Sequence, residues 1–429
     1  MKKFKSHHQE QSSFKKMTIA YCTAFIAGFC VMVIEIVAGR LIARFLGVSL
    51  YTWTSVIGVV LAGISLGYYV GGRIADRYPP QITLSKLFIA ASITCLLVPV
   101  LNNLMGAFPI VLRLSWPVRI TLHVAILFFL PSTFLGMISP VVAKFALDQG
   151  LGTGRTIGNI YACGSGGSIA GTIVAGFFLI ASMGSVAVIW TIAGILTAVG
   201  VFYSKRGRLA YAWLTVFAFL VFVSFSDAAW AKTMAVGLFL SEPRQEELVY
   251  AKDSQYSYIR ILENTKKPGI CEFKLDNLVQ TKMKIGEPAN LKYAYGCHRI
   301  FGGIVRNPNF NKEDLSVLHL GGGGYLFPRY VEKVFPKSRN EVIEIDPEAT
   351  KAAIKAFGLS EESGIVIHHS DVRNYVEDLL RRKRRGEDIQ LFDLIYCDVF
   401  LGGVAVPYHL VTYEINQKIA LLLKPGGRY

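Results

Sequence analysis

Acidic side chains are scarce in the first part of this chain: residues 1–240 hold 5 Asp and Glu against 18 Lys and Arg. Residues 241–429 hold 25 against 27, so all but 2 of the net +15 charges lie in the first part. A nucleic-acid-binding domain carries its basic excess on a soluble face. That excess is missing from the second part, so nucleic acid is not an expected partner. Paired cysteines are lacking as well. The 7 cysteines (Cys22, Cys30, Cys95, Cys163, Cys271, Cys297, Cys397) show no Cys-x-x-Cys and no paired spacing, which argues against a disulfide framework or a zinc site. No metal is expected. A cleavable leader is also missing: the basic "MKKFKSHHQEQSSFKK" precedes an apolar stretch too long for a signal core, with no small-residue cleavage pattern after it.

What is present in residues 1–240 is a series of apolar stretches of membrane-crossing length. They fall at 18–37, 52–70, 83–101, 120–139, 158–183, 185–202 and 209–225, with 228–240 too short to assign. The expected architecture is a multi-span α-helical membrane bundle of about seven helices over 1–240. Lys2, Lys3, Lys5, Lys15 and Lys16, then Arg73, Arg77 and Lys86, Lys144 and Arg155, and Lys205, Arg206 and Arg208 mark alternate loops as cytoplasmic. Seven crossings from a cytoplasmic start would leave the second part outside. If the second part uses a cytosolic nucleotide-like co-substrate, an outside location does not suit it, and then either 228–240 returns the chain or one span is misread. The expected location is the cell (inner) membrane, with the lipid bilayer as a partner.

Gly63, Gly67 and Gly71, and Gly167 with Gly171, repeat at four-residue spacing, the pattern of closely packed membrane helices. A substrate path is the competing reading. Glu35 near the end of the first span reads as an ion pair with Arg40 or Arg44, or alternatively as a proton or polyamine site. His123 reads as a packed polar residue. "GGRIADRYPP" (71–80) is similar to a loop signature of major-facilitator transporters.

From Glu247 the pattern changes. "ELVYAKDSQYSYIRILEN" and "ICEFKLDNLVQTKM" alternate with period two, separated by the turn-forming "TKKPG". They predict a small antiparallel β domain over 241–305 that ends in a linker helix near 292–304. Beyond it, "LSVLHL", "EVIEI", "GIVIHH" and "FDLIYC" alternate with helical stretches, the mark of an α/β doubly wound domain over 306–429. Ligands of such sheets bind beyond the carboxyl ends of the strands. That rule selects the glycines of "GGGGY", Glu344, Asp371 and Asp398. The glycine turn allows close backbone approach and presents amides. An acid about 20 residues on suits ribose hydroxyls, and an acid after the third strand can accept from an exocyclic amine. "RRKRR" (381–385) reads as a solvated helix end.

Residues of about 247–427 resemble the spermidine synthases (polyamine aminopropyltransferases), through "LDNLVQ", "LHLGGGGY", "VIEIDPE", "HHSDVRNY" and "FDLIYCDVF" in that family's order. The multi-span first part fits the membrane-fused branch of the family. The resemblance implies a Rossmann-like fold of the S-adenosylmethionine (SAM) methyltransferase type. It implies Gln280, Gly321, Gly322, Gly323 and Glu344 on the nucleoside, Asp371 on the adenine, Asp398 as the catalytic carboxylate and Tyr295 near the amine. The implied activity moves an aminopropyl group from decarboxylated SAM to putrescine or a related amine, with no tightly bound cofactor, and homodimers are common in the family. Three departures qualify it. Gly324 stands where the family has an acid, which opens the site to intact SAM; Leu401 replaces a second acid; Gly296 and Cys297 stand where a glutamate is expected. His409 and Glu414 of "PYHLVTYE" are further polar candidates. "KPGG" in this fold leads into a further strand and a closing antiparallel strand, so the chain is expected to be truncated. Two alternatives stay open: a SAM-dependent transferase of the same fold, and a polyamine transporter or sensor whose second domain binds without turnover.

Overall fold

The computed structural model describes residues 2–107, 114–148, 153–204, 207–240, 247–293, 314–399 and 406–429, and of residues 2–14, 106–107 and 293 the backbone alone. The chain divides into two units, Met1–Pro243 and Arg244–Tyr429.

The first unit is helical: α1 (Lys2–Leu46), α2 (Leu50–Arg77), α3 (Pro80–Ala107), α4 (Trp116–Leu147), α5 (Thr153–Val174), α6 (Ile180–Met183), α7 (Ser185–Tyr203), α8 (Arg208–Phe225) and α9 (Ala229–Gly237). A π-helical turn, Ala175–Leu179, joins α5 to α6 without a break. Seven helical stretches are long and apolar enough to cross a membrane, and each expected span falls within one of them. Helix is the conformation that such runs favour where water is excluded, because every backbone group is then satisfied within the segment. Hydroxyls do the same: Thr23, Thr94 and Thr133 each donate to the carbonyl four residues back. At nine residues, α9 covers about 14 Å, under half of a hydrocarbon core.

Glycine sets the closest helix contacts. A Cβ on Gly67 would lie 2.4 Å from the Thr133 carbonyl oxygen, and one on Gly71 would lie 2.7 Å from Met137 Cα. Gly167 and Gly171 approach the Phe25 and Phe29 carbonyl oxygens in the same way, at 2.0 and 2.5 Å. Both patterns therefore serve helix packing. His123 is buried and bonded through Nε2 to Asn102 Oδ1 at 3.1 Å. The expected ion pair of Glu35 with Arg40 or Arg44 does not form among the described residues. The spacing explains this correction, since residues five and nine apart lie on different faces of a helix and only those three or four apart meet.

The second unit holds two sheets. Strands β1 (Leu248–Asp253), β2 (Tyr258–Glu263), β3 (Ile270–Leu275) and β4 (Leu278–Lys284) form an antiparallel meander in sequence order. Its tight turns use Gly269 and Asp276 at positive φ, 82° and 52°. Beyond the 3-10 turn Leu291–Tyr293, the expected linker helix lies outside the described residues. The second sheet is parallel, in order β7-β6-β5-β8-β9, from β5 (Ser316–Leu320), β6 (Arg339–Glu344), β7 (Val366–His369), β8 (Phe392–Cys397) and β9 (Leu423–Arg428). Helices α10 (Leu326–Val334), α11 (Pro347–Ala356), α12 (Val372–Arg384) and α13 (Tyr413–Ala420) alternate with the strands. "KPGG" lies within β9 itself, which pairs parallel to β8 with an irregularity between Phe392 and Leu394. The meander and the parallel sheet share one core: Ile259, Phe273 and Met283 pack with Tyr325, Val342, Ala353 and Phe357.

Candidate active site

The strand order reverses between β5 and β8, and a doubly wound sheet opens its crevice at such a point. The glycine turn follows β5 there, and Asp398 follows β8, with its backbone N–H bonded to Leu320 O at 2.9 Å. Gly321 has φ +95°, and a Cβ on it would lie 2.5 Å from the Asp398 carbonyl oxygen, so only glycine lets these two strand ends meet. Gln280 and Thr281, from β4, close the cleft from the meander side. Its other walls are Gly321 to Gly323, Leu326, Phe327, Pro328 and Tyr396, with Asp398 facing in.

Four of the expected residues or groups thus converge: Gln280, the three glycines, Asp398 and, behind the turn, Glu344. Their relation differs from expectation in one respect. Glu344 Oε2 accepts the N–H groups of Gly322 and Gly323, at 2.9 and 3.1 Å, and Oε1 accepts from Asp346 N at 2.9 Å. The Gly321 N–H goes to Ile343 O and that of Gly324 to Thr281 Oγ1. The amides of the turn are therefore committed within the protein and do not point at a ligand. The cause is burial: Glu344 is 8% exposed, and a buried carboxylate requires donors. Burial pushes its pKa above the ordinary value, and the three amides pull it part of the way back. With one N–H on Oε1, that oxygen retains capacity for a hydroxyl donor.

Asp371 stands apart from the cleft lining. It caps α12 through Asn374 N at 3.0 Å, and its Oδ2 lies 3.5 Å from His409 Nε2. Glu414, in the first turn of α13, is exposed. Tyr295, Gly296, Cys297 and Leu401 lie outside the described residues.

Several participants escaped the sequence reading. Tyr396 donates its hydroxyl to Asp398 Oδ2 at 3.1 Å. The alternation of strands carried that signal, since residues two apart share a face. Tyr325, at φ 57° and fully buried, braces the end of the turn: its hydroxyl bonds Thr350 Oγ1 at 2.6 Å, which in turn meets His369 Nε2 at 3.0 Å. Thr281 carried no such signal, because its contact with the turn joins two sheets far apart in sequence. Among the described residues, the side-chain nitrogen of Gln280 is buried without a hydrogen-bond partner. An orphaned donor in a cleft is costly, and it fits a ligand oxygen. Among the described residues no group of His, Cys, Asp and Glu could hold a metal ion.

No family model matches the chain. It is 30% identical over 118 residues to a polyamine aminopropyltransferase of Vibrio vulnificus, covering 28% of this chain and 37% of that one. It is 32% identical over 125 residues to the eEF1A lysine and N-terminal methyltransferase of Mus musculus, covering 29% and 18%. Part of this chain is thus homologous to a polyamine aminopropyltransferase and to methyltransferases. The matches span less than two fifths of the length of either curated relative. Among solved structures, a probable spermidine synthase from Corynebacterium glutamicum aligns over 42% of this chain and 61% of its own, with 24% identity and a TM-score of 0.36. Human methyltransferase-like protein 13 in complex with SAH aligns over 30% and 61%, with 30% identity and a TM-score of 0.27.

Proposed function

We propose that the second unit transfers an alkyl group from a sulfonium nucleoside to an amine, and that it is a membrane-bound, spermidine synthase-like aminopropyltransferase acting on putrescine or a related amine. The observation that carries this reading is the convergence of the Gln280 amide, the Gly321 turn and the Asp398 carboxylate in one cleft at the strand-order reversal. Glu344 Oε1 would accept a ribose hydroxyl, Gln280 would donate to a nucleoside oxygen, and Asp371 would take the adenine amine. The amine nitrogen attacks the carbon beside the sulfonium. The new N–C bond forms as the C–S bond breaks, methylthioadenosine leaves, and Asp398 takes the proton that the amine releases. Homology to an aminopropyltransferase over part of the chain supports the choice of donor.

A second reading is methyl or aminocarboxypropyl transfer from intact SAM. Gly324, where the resembled family carries an acid, favours it, as does the methyltransferase homology.

Calorimetry with decarboxylated and intact SAM in parallel, with and without putrescine, separates the two. Binding of the decarboxylated form with methylthioadenosine release supports the first, and preference for the intact form the second. Binding without turnover would instead favour a sensor or transporter. Asp398→Asn is expected to lower turnover by about 10²–10⁴-fold while cofactor affinity stays near wild type. Equal loss of both would remove its role as base.

The seven long apolar helices are the basis for proposing that the first unit crosses the cell membrane. The co-substrate argues for a cytoplasmic second unit, which requires an even number of crossings. Thiol labelling of a cysteine placed at Lys266 in sealed vesicles reads out that orientation.

A further inference from the structure

A cavity of about 570 Å³ lies in the helical unit between α3, α4, α7 and α8. That volume is within the ordinary range for a small-molecule site. Its lining runs from Pro79 and Pro80 at the start of α3 to Asp148 after α4 and to Ser204 and Gly207 between α7 and α8. Its inner wall is apolar, formed by Ile82, Ile89, Phe145, Leu209 and Ala210. The polar groups set into that wall already have protein partners. Ser85 Oγ donates to Gly200 O at 2.7 Å, the Tyr203 hydroxyl is bonded to Thr23 Oγ1 at 2.7 Å, and Ser204 Oγ accepts from Gly207 N at 2.9 Å. Among the described residues, the interior thus offers apolar contact and no free hydrogen bond.

The mouth is different. Lys86 is exposed and Gln81 partly so, and neither makes an ion pair or hydrogen bond among the described residues. Both lie in the first two turns of α3, at the positive end of its dipole. Among the described lining residues the one acid, Asp148, is paired with Lys144 at 3.0 Å. Among the described residues, the mouth therefore carries the unmatched positive charge of Lys86 above an apolar shaft.

We propose that this cavity binds an anionic phospholipid, with its phosphate against Lys86 and Gln81 and an acyl chain between α3 and α8. The proposal rests on the reading that the first unit lies in a bilayer. Basic pockets between membrane helices favour anionic head groups, and one lysine near the surface contributes about a fivefold preference.

The test uses the full chain purified into nanodiscs of phosphatidylglycerol and phosphatidylcholine, with retained lipid counted by native mass spectrometry. Wild type is expected to retain phosphatidylglycerol about fivefold over its share in the disc. Lys86→Gln is expected to bring the ratio to parity, and Gln81→Ala to lower it partly. Lys232→Glu, outside the cavity, should leave it unchanged. Equal retention of both lipids by wild type, or an undiminished preference in Lys86→Gln, overturns the proposal. Displacement of the lipid by inorganic phosphate alone also overturns it, because the acyl chain would then add nothing. Release of the chain from cell membranes by alkaline wash would instead refute the bilayer reading itself.

Discussion

Glycine does opposite work in the two units. In the helices, Gly63, Gly67 and Gly71 have ordinary helical backbones, and what matters is the missing side chain, because a neighbouring helix occupies the space. In the turn after β5, Gly321 and Gly323 sit at φ +95° and +50°, and the backbone conformation itself is at stake. Gly321 carries both demands, since it also faces the Asp398 carbonyl. The comparison teaches that the spacing of a glycine foretells its use. A four-residue period on a helix points outward to a partner, whereas a run after a strand bends the chain back on itself.

Four substitutions can break or sharpen that contrast. The largest effect is expected from Gly321→Ala, which combines a left-handed penalty of about 1–2 kcal/mol with overpacking of about 1–3 kcal/mol. Chemical denaturation should report the summed loss, and calorimetry the loss of nucleoside binding. If both survive, the turn tolerates a side chain and the contrast fails.

His319 offers a test of the sheet unit alone. It is fully buried beneath the turn, bonded through Nε2 to Asn340 Oδ1 at 3.1 Å, and burial holds its pKa down at about 4. A depressed histidine stabilises the fold above its unfolded pKa, and that stability is lost as pH falls from about 6.5 through 4. The expected loss is about 3 kcal/mol at full protonation. His319→Leu should flatten the acid limb of the stability curve relative to wild type. Parallel curves would show that this residue does not set the limb.

Smaller is the expected cost of Gly67→Ala, about 1–3 kcal/mol, read as a lower thermal midpoint of the helical unit in detergent. Gly72, five residues on in the same helix, has none of the described residues within 4 Å of its would-be Cβ. Gly72→Ala is therefore expected to be neutral or to stabilise by up to about 1 kcal/mol. Equal effects at the two positions would show that packing against α4 is not what Gly67 provides.

The residues also show where sequence reasoning stops. The seven apolar stretches, the meander, the parallel strands, the cleft-lining Gly321 and Asp398, and Glu344 at the end of its strand were legible because each depends on a local period or on a short spacing after a strand. The engagement of Glu344 with Gly322 and Gly323 was not, because it depends on how completely packing removes water from the carboxylate. Glu35 is the converse case. Proximity in sequence suggested a partner, and the helical repeat placed Arg40 and Arg44 on other faces.

Hydrophobic pattern and turn chemistry are carried by neighbouring residues, so the chain by itself determined two unlike units, the order of strands and helices, and which residues stand at strand ends. Contacts between distant segments depend on three-dimensional closure, and these only the tertiary structure decided: Thr281 on the glycine turn, Tyr396 beside Asp398, the orphaned Gln280 amide, and the Lys86 cavity assembled from four helices.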